Sequence, residues 1–104
     1  MSTRIGAAEF QQEVLAAEGI VVVDFYSDSC LPCKRMTAVL SKVEAANPQV
    51  KFVKVNIKYE KELAARYHVM STPTLLYFKS GAAADKQTGA VTQVQIQEKL
   101  EELL

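Results

Sequence analysis

Residues 20–26 read IVVVDFY, an almost unbroken run of β-branched and aromatic side chains. A strand with one wet face alternates apolar and polar residues, whereas a run without alternation reads as a strand covered on both faces. Any fold the chain adopts must therefore lay material on either side of this strand. Its one ionisable residue, Asp24, is out of place there, because an unpaired buried carboxylate is costly and its pKa rises.

The neighbouring segments supply the cover. In AAEFQQEVLAAEG, Ala7, Phe10 and Val14 recur at helical spacing and Gly19 is a stop, so a helix is expected. KRMTAVLSKVEAAN sets Met36, Val39, Leu40 and Val43 on one helical face. VKFVKVNI, 50–57, reads as a second interior strand, and YEKELAARYHV as a short helix with Leu63, Ala64 and Tyr67 inward. Met70-Ser71-Thr72-Pro73 is a loop, since proline lacks a backbone donor and biases its predecessor away from helix. TLLYF, 74–78, is a strand, Lys79-Ser80-Gly81 a turn and AADKQTGA a weaker edge strand. QVQIQEKLEELL closes as a helix with Ile96, Leu100, Leu103 and Leu104 inward and the Glu98, Glu101, Glu102 run solvated. STRIG is a candidate edge strand. This order predicts an α/β fold with a mixed sheet between helices.

The 104 residues suit one domain, 1–104. Twelve basic residues balance twelve acidic ones, so no net field draws the chain to nucleic acid or to an anionic membrane. The N-terminus lacks a charged leader followed by an apolar stretch, and no run approaches the roughly 18 apolar residues of a spanning helix. A cytoplasmic location is the expectation.

SCLPC, 29–33, holds the only two cysteines. A structural zinc site needs four ligands, and His68 is the single histidine left to offer, so no metal is expected. A disulfide across two intervening residues closes too small a loop to stabilise much, and stable disulfides are unusual in the cytoplasm. Two inert buried thiols are the bland alternative. Against it stands the context, a strand before the pair and a helix after it. Pro32 suits a first helical turn, which puts Cys30 at or just before the helix N-terminus and Cys33 inside it. Unpaired backbone donors and the helix dipole there favour a thiolate. Cys30, nearer the tip, can attack a disulfide, and Cys33 can then resolve the mixed disulfide. Asp24 either pairs with a lysine at a sheet margin or serves as proton acceptor and donor for Cys33, with Lys54 as its charge partner. His68 reads as a surface or packing residue, and Met36 and Met70 as core or groove packing rather than redox sensors.

VVVDFYSDSCLPCKRM, VKFVKVNI, STPTLLYFKSG and TGAV, in this order and spacing, resemble the thioredoxin family over nearly the whole chain. The resemblance implies a five-stranded mixed sheet flanked by four helices and reduction of protein disulfides. It also implies recharging by a thioredoxin reductase, with the cysteine pair as the redox group and no other cofactor. Cys30 matches the attacking cysteine, Cys33 the resolving one, Asp24 the buried aspartate and Lys54 its neighbouring lysine. Thr72-Pro73 matches a cis proline whose loop offers its backbone to clients. Gly81 and Gly89 match a hairpin glycine and one near the client groove. The client-binding positions are then Leu31, Pro32, Thr72, Pro73 and Gly89, on a chain expected to act as a monomer.

Several departures from the family stand out, and among them Ser71 and Thr72 replace the small and apolar residues common before the cis proline. Ser29 replaces the usual tryptophan and Leu31 the usual glycine of Trp-Cys-Gly-Pro-Cys. Tyr26 replaces a second tryptophan, and Ala38 a kinking proline, so a straighter helix is expected. They leave two alternatives, a specialised protein with narrow clients or an oxidising bias, and a binding module whose thiols stay idle.

Overall fold

The computed structural model describes residues 3–104. In chain order they form β1 (Thr3–Arg4), α1 (Ala7–Phe10), which runs on into a π-helical segment (Gln11–Leu15), β2 (Ile20–Tyr26) and α2 (Leu31–Ala46). There follow β3 (Lys51–Asn56), α3 (Lys61–Arg66), β4 (Thr74–Lys79), β5 (Ala82–Thr88) and α4 (Gln93–Leu103). The sheet order is β1-β3-β2-β4-β5. β3 runs parallel to β1 and β2, and β4 antiparallel to β2 and β5. This is the five-stranded mixed sheet with four helices that the thioredoxin fold requires.

All seven residues of β2 are buried, as the run predicted. Because successive strand residues face opposite sides, β2 divides its side chains between two cores. Val21, Val23 and Phe25 pack with Phe10, Val14, Leu63 and Val69 from the α1 and α3 side. Ile20 and Val22 pack with Met36, Leu40, Val43, Ile96 and Leu100 from α2 and α4. Asp24 shares the parity of Ile20 and Val22, so it points to the α2 side, beneath the start of that helix. Its parallel neighbour across the sheet is Lys54.

α2 runs unbroken through Ala38. At its end Asn47 is buried, and its Nδ2 donates to the Val43 carbonyl and to Gln97 Oε1 at 2.7 Å each, tying α2 to α4. At the β4–β5 turn Gly81 has φ 83°, and a Cβ there would fall on the Leu15 carbonyl, so the turn accepts no side chain.

Several expectations need correction. The first helix is short, and the π-helical segment closes before Gly19, which turns the chain with φ 72°. Ala7 is exposed, since the wall against the sheet is made by Phe10 and Val14. Leu104 is 62% exposed, because α4 ends at Leu103 and the last residue extends beyond the sheet's cover. Val39 is half-buried at the edge of its face. Of the expected edge strand, Thr3 and Arg4 pair with β3, and Ser2 lies outside the described residues.

Candidate active site

The C-terminal end of β2 delivers the chain through Ser27-Asp28-Ser29 to Cys30, which caps α2. Cys30 has extended backbone (φ −94°, ψ 106°), and its Sγ accepts from the Cys33 N–H at 3.1 Å, so a sulfur occupies the capping position usually filled by an oxygen. Leu31 opens the helix and Pro32 follows it in the first turn, where a missing N–H costs nothing. Cys30 and Cys33 are joined as a disulfide with Cα atoms 5.2 Å apart. Cys30 is 9% exposed and Cys33 5%, so Cys30 is the sulfur nearer the surface. Tyr26 packs against both.

Behind the disulfide lies a cavity of about 210 Å³ whose lining includes Asp24, Cys33, Tyr26 and Lys54. Asp24 is 5% exposed and its Oδ1 makes no hydrogen bond to the protein. Burial pushes its carboxyl up from 3.8 to about 6, against the opposing pull of the Lys54 charge. An acid poised near neutrality thus shares a cavity with the inner cysteine. The Lys54 ammonium stands 5.0 Å from the Tyr26 ring centroid and the Arg4 guanidinium 6.0 Å, so Tyr26 carries cations on its aromatic surface.

In front of the disulfide, Leu31 (62% exposed) and Pro32 project from the helix start. The Thr72–Pro73 peptide is cis. Gly89, with φ 87°, donates its N–H to the Pro73 carbonyl at 2.8 Å, which brings the two groove positions together. Among the described residues no three His, Cys, Asp or Glu side chains gather where they could hold a metal ion.

These features coincide with what known proteins share. The family model described as Thioredoxin matches residues 2–102. Thioredoxin 1 of Nostoc sp. is 33% identical over 104 residues, covering 99% of this chain and 97% of its own. Thioredoxin 1 of Synechococcus elongatus is 37% identical over 98 residues, 93% of this chain and 92% of its own. A thioredoxin of Pseudomonas aeruginosa is 36% identical over 90 residues, covering 86% and 83%. The chain belongs to the thioredoxin family. It is a thiol-disulfide oxidoreductase, a protein disulfide reductase by class.

Sequence reading missed the residues that shape the approach. Asp28 Oδ2 accepts from Asn56 Nδ2 at 3.2 Å, and Asn56 Oδ1 accepts from the Lys58 N–H at 2.9 Å, which anchors the loop before Cys30 to the end of β3. VKFVKVNI carries Lys51 and Lys54 as well, so nothing in the sequence singles out Asn56, whose burial only the fold reveals. Met70 is 91% exposed and packs in no core, because it sits on the loop before Thr72. His68 is also exposed and takes a left-handed φ of 56° after α3, a turn role.

Proposed function

We propose that the chain, one catalytic domain over 1–104, reduces disulfides in client proteins as a monomeric cytoplasmic electron carrier recharged by a thioredoxin reductase. Both cysteines come from one chain, so the chemistry needs no second copy. Among the described residues no helix is long and apolar enough to cross a membrane.

In the reduced protein the Cys30 thiolate, facing the backbone donors of the α2 start, attacks one sulfur of the client disulfide. One client thiolate leaves, and a Cys30–client mixed disulfide forms. Asp24 then takes the Cys33 proton, and the Cys33 thiolate attacks Cys30 Sγ. The second client thiolate is expelled and takes up a proton, and two electrons have passed from the protein to the client. Lys54 steadies the Asp24 carboxylate by its charge. Leu31, Pro32, Thr72, Pro73 and Gly89 make the surface against which the client segment lies.

The observation that carries this reading is the buried Asp24 carboxyl opening on the same cavity as Cys33. Cys33→Ser should accumulate client proteins covalently held on Cys30, while Cys30→Ser should hold none. Mass spectrometry of the trapped adducts reads both, and adducts absent from the Cys33→Ser protein would overturn the order of attack.

A further inference from the structure

A row of charge crosses the sheet behind the disulfide. Arg4 pairs with Lys54 and Lys54 with Asp24, so the three lie side by side on β1, β3 and β2. Adjacent strands stand about 4.8 Å apart, and the four-carbon stem of a lysine spans such a gap, so Lys54 has the reach to contact the Asp24 carboxylate. Among the described residues, however, Lys54 makes no ion pair. Its ammonium lies over the Tyr26 ring instead, 5.0 Å from the centroid.

Two partners thus compete for one cation. Tyr26 follows Asp24 by two residues on β2 and shares its face, and both line the cavity together with Lys54. An ammonium closing on the buried Asp24 would give up its remaining water, a penalty that a buried ion pair repays only with excellent geometry. Over the ring Lys54 stays half-buried, so its head keeps part of its hydration while the aromatic face attracts its charge. The Arg4 guanidinium, 6.0 Å from the same centroid, is a second cation drawn to that ring. The Tyr26 hydroxyl is buried and has no hydrogen-bond partner among the described residues, so the ring is what Tyr26 brings to the cavity.

The outcome of this competition bears on Cys33. A carboxylate in contact with an ammonium is a weak base, whereas Asp24 without that contact keeps its carboxyl raised to about 6. The other charged groups of the cavity are Arg4 from β1, Lys34 from α2 and Asp28 from the loop before it, with Cys33 joining them in the reduced protein. β4 sets the apolar Leu75 opposite Asp24.

We propose that Tyr26 is a positioning residue of the exchange reaction, its ring drawing the Lys54 ammonium aside so that the Asp24 carboxyl stays available for the Cys33 proton. This role rests on the proton transfer in the reductase reading above and deepens it.

The test follows the Asp24 carboxyl carbon by NMR titration in the oxidised protein, where the disulfide leaves no thiol to titrate. Tyr26→Leu should let Lys54 close on Asp24 and lower the midpoint by about one pH unit, while Tyr26→Phe, which keeps the ring, should leave it in place. Losing the ring also wets the cavity and frees Arg4, which lower the midpoint by themselves. Tyr26→Leu is therefore repeated in Lys54→Met protein, where those effects persist and the fall should be far smaller. In the unsubstituted protein the ε-methylene protons of Lys54 should resonate upfield of those of exposed lysines, shielded by the ring, a reading that needs no variant. An equal fall in both backgrounds, a midpoint that Tyr26→Leu raises or leaves alone, or unshifted Lys54 protons would overturn the positioning role and leave the reductase reading intact. That reading fails by a separate result, a Cys33→Ser protein that traps no client.

Discussion

The two flanks of the disulfide are built on opposite principles. Behind Cys33 lies a small cavity lined by charged groups, Asp24 and Lys54 among them, where the sheet face is otherwise apolar. Beside Cys30 the protein leaves a pocket more than twice as large, walled by small and apolar residues, with its charges confined to the rim. On the inner flank burial disfavours the charged form of Asp24, and the outer flank presents apolar surface. Ser27 and Asp28 are the wall between them, since both residues line both spaces. Cys33 therefore lies beside a titrating group, whereas Cys30 follows a loop that borders the larger pocket.

Asp24→Asn is the substitution that should separate the flanks most. The Asp24 carboxyl is raised in the folded protein, so the native state binds its proton more tightly than the unfolded chain does. Its contribution to stability is then greatest below about pH 4 and is lost as pH rises to about 6. Asp24→Asn should accordingly stabilise the protein by about 3 kcal/mol at pH 8, with the gain vanishing below about pH 4, as urea titrations at several pH values would read. The same variant should slow client release by about 100-fold while barely changing the first attack, and should abolish the inflection near pH 6 in the release rate. Equal slowing of both steps would show that the inner flank does not act on Cys33 alone.

Asp28→Ala should touch both flanks at once. It removes the hydrogen bond to Asn56 that holds the dividing loop, at a cost of about 1 kcal/mol in thermal or chemical unfolding. It should also change both the release rate and the rate of first attack, and an effect confined to one of them would mean that the wall is not shared. Combining Asp24→Asn with Ala65→Leu should give an effect on client reduction that is additive within about 0.5 kcal/mol, because the two residues line different spaces. The smallest expected effect is that of Lys54→Met. Without that cation the Asp24 pKa should move further up, seen as an upward shift of the release inflection.

The comparison also shows where reading the chain succeeds. IVVVDFY gave β2 residue for residue, because burial on both faces leaves a one-dimensional signature. Asp24 and the cysteines were legible for a related reason: a carboxylate inside an apolar strand and a proline between two thiols are local contradictions visible without coordinates. The first helix was less legible, since its apolar spacing does not distinguish an α-helical from a π-helical turn. Met70 looked like packing because an apolar side chain carries no mark of the loop that exposes it. Lys58, Lys61 and Ala65 lie some thirty residues from Ser29 and share a pocket with it only when α3 packs beside the loop, and Asn56 reaches Asp28 in the same way.

The sequence by itself determined the reaction class, because two thiols at a strand–helix junction and a buried acid are specified by residue type and short spacing. Tertiary structure alone decided which of these groups share a space. Strand parity turned Asp24 toward α2, the parallel register set Lys54 opposite it, and the meeting of Ser29 with α3 opened the outer pocket. Such spaces are set by the volumes of side chains distant in sequence that become neighbours only when the layers close.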